Sequence, residues 1–492
     1  MDGKTLAEHA VEYGLSNGAD YVEGRFIDSV SENYFCRNGK FLSIQKRPTS
    51  GMGIRVLKDG SLGFGSVSSL RKKEVEDRIN SLMKMAQMSE RKEPIRFSEE
   101  RPVEDSWTVP VNMPFEDVSR EEKQEFIKSL DKNIKSSGSK GLSLRSKIKN
   151  RILFFHTDSS KKYIVTSDGS KVESDESFIS IYCVMNAKVK AEKEQRLLGL
   201  GGASGWEWLE EKNVCDVITR ESEKLVETVQ RSESMDFHDP IDVIVGPEVS
   251  GIMAHENVGH PSESDRIMGR EEAQAGGSFY KELLGLEEEE EFKGIKEADI
   301  KMGSEAVSVI DDPTLKGSPG FYLYDDECVE AKQRYLIKEG RLNELLLNRE
   351  FASRFGTCSN GAARSAGYSR EPIPRMSNTF FEPKDHSKEE LVEDVSQGLL
   401  IESFTEWNID DRRYHSKYVG LETYLIKDGR ITDKMVKRPA LELTTPALLD
   451  SIDAVSDDYE SRMNFCGKSD PMQPVSVSTG GPYLRIKDVR VE

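Results

Sequence analysis

Apolar residues alternate along this chain with two different periods, and the switches between them mark out its elements. Residues 4–16 carry apolar positions at helical spacing, and from Tyr21 to Ser69 the spacing shortens to the two-residue alternation of strands. Asn38-Gly39 and Asp59-Gly60 interrupt that alternation with the residues that tight hairpin turns require. Leu70 to Met88 returns to a charged, amphipathic helical pattern. The pattern predicts an N-terminal α-β-meander-α domain over residues 1–92.

The polar, proline-containing stretch from Glu93 to Pro114 reads as a linker. A helix over 117–135, strands over 150–156, 162–167 and 171–190, and a long helix from Trp208 to Gln230 then make a central domain over 115–235, with Asp168-Gly169 as a hairpin turn. Ser232 to Pro240 is the next boundary. The remainder, 238–492, carries further hairpin signals at Glu339-Gly340 and Asp428-Gly429 and is expected to be sheet-rich. The fold class expected is α+β and multidomain, with mixed and antiparallel sheets flanked by helices.

Composition narrows the function. A formal charge of −19 argues against a nucleic-acid partner, which needs clustered Lys and Arg, and weakly against an anionic membrane surface. No run approaches the roughly 18 apolar residues of a membrane span, and residues 1–9 lack an apolar leader core, so a cytoplasmic location is expected. The six cysteines, at 36, 183, 215, 328, 358 and 466, form no C-x-x-C pair and are too sparse for a disulfide framework.

The most specific chemistry lies in the run His255-Glu-Asn-Val-Gly-His260. Seven histidines are spread over 492 residues, so an H-E-x-x-x-H string arises by chance on the order of 0.01 times in such a chain. Two imidazoles beside a carboxylate suit a zinc hydrolase, with Glu256 as general base. Positions five apart are separated by about 140° on an ideal helix, so His255 and His260 meet one ion only if the helix is distorted. A π-bulge would bring them together, and Gly259 and Pro261 supply reasons for one: unusual backbone angles at the glycine, and His260 pushed away from α geometry before the proline. The preceding Ile241 to Val245 alternates as a strand, Gly246-Pro247 starts a helix, and Glu256 falls on that helix's core-facing stripe with Val249, Ile252 and Met253.

A catalytic zinc has three protein ligands and an open position, so one ligand is still to be found. His386, His415, Cys466 and many carboxylates are candidates by residue type. Cys466 gains from its setting, ahead of Gly480-Gly481-Pro482 and the alternating Tyr483 to Ile486, which suits a strand-end loop at a site mouth. The run Gly199-Leu-Gly-Gly-Ala-Ser-Gly205 is set aside as a dinucleotide fingerprint, because Ser204 occupies the third glycine position and no ribose-binding acid follows. The acidic run Glu287 to Glu291 reads as a solvated face.

A series of motifs follows along the chain: Gly18-Ala-Asp-Tyr-Val-Glu23, Arg37-Asn-Gly39, Gly53-Ile-Arg-Val56, the His255–His260 run with Glu263 and Asp265 behind it, Asp311-Asp-Pro-Thr314, Tyr324-Asp-Asp-Glu327, Pro372 to Thr379, and Asn464-Phe-Cys-Gly-Lys468. In this order they resemble the TldD/PmbA family of metallopeptidases, on its TldD, metal-bearing side. The resemblance implies one Zn²⁺ per metal-bearing subunit on His255, His260 and Cys466, Glu256 as catalytic acid/base, and cleavage of unfolded or extended peptides. It also implies a dimer enclosing the site, formed with a second copy or with a metal-free paralogue. Asp326, Arg375 and Asn378, polar residues in matched motifs, are candidates for orienting a peptide backbone, and Glu263 and Asp265 for fixing a ligand imidazole or capping the next helix. The chain departs from the family in an apparent insertion over 268–295, in Cys328 where a glycine is usual, and in Thr405-Glu-Trp407 where glycines are usual. The rival readings are a non-catalytic regulatory or scaffold subunit with a structural metal, and a metallohydrolase of small amides.

Overall fold

The computed structural model describes residues 2–89, 93–137, 147–270, 276–286 and 299–492. The first sheet has seven strands, ordered Ser61–Val67, Lys40–Lys58, Tyr21–Arg37, Ile148–Thr166 and Lys171–Val189. The far edge of Lys171–Val189 is shared between Glu104–Thr108, which pairs parallel, and Glu192–Gly202, which pairs antiparallel. Both hairpin turns of the meander take left-handed angles at their two central residues, Asn38-Gly39 and Asp59-Gly60. Tyr21–Arg37 pairs antiparallel with Ile148–Thr166 from Glu23↔Thr166 to Arg37↔Ile152, so one sheet runs through both N-terminal segments.

Three elements differ from expectation. Glu104–Thr108 is a strand within the stretch read as a linker. Residues 148–166 are one strand, although the apolar alternation fades at Asp158, Ser160 and Lys162. The reason lies in the two faces of the sheet. Leu153, Phe155, Ile179, Ile181 and Cys183 point to one face, where the helices Arg120–Ser137 and Val214–Arg231 bury them through Ile127, Leu130, Ile218 and Leu225. Gly3–Ser16 and Lys72–Met88 cover the same face over Val22 and Ile54. The intervening residues, including Phe154, His156, Asp158, Ser160 and Lys162, face a groove of about 1010 Å³. The ladder continues there while hydrophobicity does not. The long helix expected from Trp208 breaks into Trp208–Glu211 and Val214–Arg231 at Asn213, which has φ 46°.

The second seven-stranded sheet is ordered Ile452–Val455, Leu484–Val489, Ile241–Val245, Gln397–Ile401, Thr423–Lys427, Arg430–Val436 and Ser232–Glu233. Ile241–Val245 lies inside it, parallel to Gln397–Ile401 and antiparallel to Leu484–Val489. A strand flanked on both edges is a firm platform, and the motif helix Pro247–Ala254 starts directly from its end, with Pro247 in the first turn as expected. That helix is buried on all sides. The Met463–Lys468/Gln473–Ser478 hairpin forms a two-stranded sheet of its own. The glycine run near 200 has a structural role: a Cβ on Gly199 would lie 2.2 Å from Met463 O, so its absence lets the hairpin rest against Glu192–Gly202. No described helix is long and apolar enough to cross a membrane. The Glu287 to Glu291 run lies outside the described residues.

Candidate metal centre

The helix Pro247–Ala254 passes into a π-helical turn over His255–Gly259 and a 3₁₀ turn over His260–Ser262. The distortion is therefore where the five-residue spacing places it, but its local causes are different. His260 keeps helical angles (φ −62°, ψ −42°), as does Gly259 (φ −60°, ψ −58°), so neither Pro261 nor the glycine imposes unusual backbone angles. Gly259 is required for space: a Cβ there would lie 1.9 Å from Met376 Sδ. Asn257, inside the turn, holds it from the opposite side. Its Nδ2 donates to Ser416 Oγ at 3.1 Å and Thr445 Oγ1 at 2.8 Å, and its Oδ1 accepts from the Tyr418 hydroxyl.

The turn sets the two imidazoles edge to face, with ring centroids 4.8 Å apart. Cys466 joins them from the hairpin, and the candidate ligand atoms of His255, His260 and Cys466 all lie within 4.8 Å of one another. Cys466 sits within the strand Met463–Lys468, paired with Val475, and not in a strand-end loop. Cys466 Sγ lies 3.5 Å from His260 Nε2. Around a tetrahedral zinc, nitrogen and sulfur ligands stand about 3.3 to 3.6 Å apart, so this pair is spaced for one ion.

Electrostatics favour the ligating forms. Burial lowers the pKa of both His255 and His260 and keeps them neutral, the form that binds a metal. Burial would raise the Cys466 thiol, but His260 and Arg375 outweigh it and bring its pKa down to about 7. His255 Nδ1 is buried and makes no hydrogen bond among the described residues. Two neutral imidazoles, one acidified thiol and an unspent ring nitrogen fit zinc, which takes mixed nitrogen and sulfur donors.

Around the three residues stands a buried charged layer. Glu263 Oε2 is 3.0 Å from His260 Nδ1 and also contacts Arg266 Nε at 3.2 Å and Lys468 Nζ at 3.3 Å. Glu263 precedes the short helix Ser264–Ile267 without a side-chain capping bond, so of its two expected roles the structure places it on the imidazole. Asp265 touches neither histidine; its Oδ1 pairs with Lys468 Nζ at 2.6 Å. Glu256 is buried beside His255, and its Oε2 accepts from Arg413 Nη1 at 3.4 Å. Lys468 was within reach of sequence reasoning, two residues past Cys466 in a matched motif. Arg413, more than 150 residues from Glu256, follows from no spacing.

Asp326, Arg375 and Asn378 are not brought together as a peptide-binding edge. Asp326 accepts from Ser365 N at 2.7 Å and Ser365 Oγ at 2.8 Å. Asn378 is fully buried between Asp312 O at 2.6 Å and Gly320 N at 3.0 Å. Arg375, also fully buried, donates to Gln473 O at 2.7 Å and Cys466 O at 2.5 Å, which ties the two hairpin strands together behind the cysteine. Each directs hydrogen bonds to the chain itself, and Arg375 Nε, which makes none among the described residues, lies 3.9 Å from Glu263 Oε1.

The fold and this His-His-Cys cluster define a candidate metal-dependent hydrolase of mixed α+β architecture. The chain belongs to the PmbA/TldD metallopeptidase family: the PmbA/TldA metallopeptidase domain 1 matches residues 22–86, the central domain 114–229 and the C-terminal domain 238–492. A Methanothermobacter thermautotrophicus protein named metalloprotease is 28% identical over 479 residues, covering 97% of this chain and 96% of its own. A Saccharolobus solfataricus protein named zinc metalloprotease TldD homolog is 24% identical over 450 residues, covering 90% of this chain and 89% of its own. The crystal structure of TldE from Thermococcus kodakarensis shares the fold, with a TM-score of 0.69 over 99% of each chain at 16% identity.

Proposed function

We propose that this chain is a zinc-dependent metallopeptidase that cleaves unfolded or extended peptides, with His255, His260 and Cys466 as metal ligands and Glu256 as general base. The observation that carries the reading is the convergence of three buried ligand atoms within 4.8 Å, with Glu256 adjoining. When bound, the ion supplies a Lewis acid that acidifies water and polarises a carbonyl. Glu256 then accepts a proton from the attacking water and returns it to the leaving amine, a transfer suited to a carboxylate held by one hydrogen bond on Oε2 and unbonded on Oε1 among the described residues. Glu263 holds His260 through Nδ1, and burial of the cluster excludes bulk water.

The groove supports an extended substrate. Phe465 lines it while Cys466, the next residue, faces the histidines, so one hairpin strand separates the groove from the metal cluster. Its floor mixes Phe154 and Phe178 with Ser31 and Ser160, which suits a polypeptide of varied sequence. The assembly proposed is a homodimer or a heterodimer with a metal-free paralogue, and light scattering of the purified chain separates the two.

The test is Glu256→Gln. It is expected to keep the zinc content of the wild type and to abolish cleavage of an unfolded polypeptide; wild-type turnover would remove Glu256 from the mechanism.

A further inference from the structure

Residues 276–286 lie within the region that the sequence marks as an insertion, and they pack directly against the candidate catalytic turn. Ser278 Oγ donates to Pro261 O at 2.7 Å, and Arg266 Nη1 donates to Gly276 O at 3.0 Å, so the segment is fastened to the end of the histidine motif. Its other side grips the turn at 410–414. Phe279 N donates to Arg412 O at 3.0 Å, the Phe279 ring meets Tyr414 edge to face at 5.4 Å, and Glu282 pairs with Arg412. At Gly276, φ is 75° and a Cβ would lie 2.2 Å from Asp411 O, so segment and turn touch backbone to backbone.

That turn carries Arg413. Its backbone is left-handed, with φ 63°, and is fixed by Arg413 N donating to Asp410 O at 3.0 Å and Tyr414 N donating to Asp410 Oδ1 at 2.7 Å. Thr445 Oγ1 donates to Arg413 O at 3.0 Å and accepts from Asn257 Nδ2 at 2.8 Å, which closes a ring from the motif through Thr445 to the turn. Arg413 Nη1 completes the ring at Glu256 Oε2. Among the described residues this is the one hydrogen bond of the Glu256 carboxylate.

We infer that Arg413 is a positioning residue for Glu256, and that the 276–286 segment is a clasp that holds the Arg413 turn against the histidine motif. The inference rests on the peptidase reading above for its consequence, and on geometry alone for the clasp. A cation fixed on Oε2 selects one carboxylate rotamer and aims Oε1 at the reacting atoms. Loss of such positioning typically costs about 10- to 100-fold in rate. A strand turn of ordinary stiffness could not do this alone, because its left-handed residue is an arginine in a conformation that costs about 1 kcal/mol and persists only when neighbours enforce it.

Arg413→Ala, Arg413→Lys and Gly276→Val, loaded with zinc, test this against an unfolded polypeptide. Arg413→Ala is expected to lose about 10- to 100-fold in kcat with zinc content and KM near wild type. Arg413→Lys, or guanidinium added to Arg413→Ala at non-denaturing concentration, is expected to restore part of that loss. Gly276→Val is expected to lose kcat similarly and to speed amide hydrogen exchange at 410–414, a readout independent of activity; Ser278→Ala carries the same test should the valine variant not fold. Wild-type kcat in Arg413→Ala, or a loss accompanied by zinc release and unrescued by guanidinium, overturns the positioning role. Unchanged exchange and kcat in the clasp variants overturn the clasp. A zinc-loaded wild type that cleaves nothing overturns the peptidase reading instead, and the exchange result still decides the clasp.

Discussion

Glu263 Oε2 stands 3.0 Å from His260 Nδ1, and this contact decides which nitrogen of the ring faces Cys466. A neutral His260 that donates from Nδ1 to the Glu263 carboxylate has its Nε2 lone pair free on the side of Cys466, where a metal would take it. Glu263 remains ionised there. Burial alone would raise its pKa, but Lys468, His260 and Arg266 hold it well below the ordinary carboxylate value.

Glu263→Gln keeps the side chain's size and removes its charge. Zinc affinity should fall about 10- to 100-fold, the usual effect of losing a carboxylate behind a ligand imidazole. Competition against a chromophoric chelator measures it, and wild-type affinity would show that the contact does not orient His260.

Gly259→Ala places a methyl group where Met376 Sδ lies 1.9 Å away. The overpacking should cost about 1 to 3 kcal/mol and disturb the π turn that joins the histidines. Met376→Ala makes room, so the double variant should recover part of the loss in a denaturation cycle. Additive losses would mean that the glycine is needed for some reason other than Met376.

Asp158 faces the groove, half-buried, and burial together with Glu176 raises its pKa to about 6. A carboxylate whose folded pKa lies above its unfolded value favours the fold at low pH and disfavours it as pH rises through about 6. Asp158→Asn should therefore stabilise the protein at pH 7 by about 1 to 2 kcal/mol, the linkage value discounted for partial exposure, with the gain fading towards pH 4. Chemical denaturation at the two pH values checks this. Equal effects at both would remove burial as the cause of the shift.

Much of the fold was legible because its period was legible. The hairpins at Asn38-Gly39, Asp59-Gly60, Glu339-Gly340 and Asp428-Gly429 all turn where their dipeptides predict, each with left-handed angles at both residues. Sheet membership was not readable where a strand lacks an apolar face: Glu104–Thr108 is mostly exposed, and Asp158, Ser160 and Lys162 line the groove. In the site, the five-residue spacing demanded a π turn, but the cause assigned to Gly259 was wrong because Met376, 117 positions away, is invisible from local sequence. Cys328 shows the converse. Its φ of 62° is a left-handed angle that favours glycine, a geometric requirement that the residue type does not announce. Asp326, Arg375 and Asn378 were offered as substrate contacts because they are polar within matched motifs, and burial instead makes them hydrogen-bonding partners of the chain.

The central claim is that His255, His260 and Cys466 together hold the ion that peptide cleavage needs. Zinc stoichiometry by mass spectrometry, with cleavage of an unfolded polypeptide measured before and after chelation, tests it in the wild type and in His255→Ala, His260→Ala and Cys466→Ala. The account predicts about one zinc per wild-type chain, cleavage lost on chelation and restored by zinc, and loss of both metal and cleavage in each variant. Full zinc occupancy in Cys466→Ala, or cleavage that survives complete removal of metal, would contradict it.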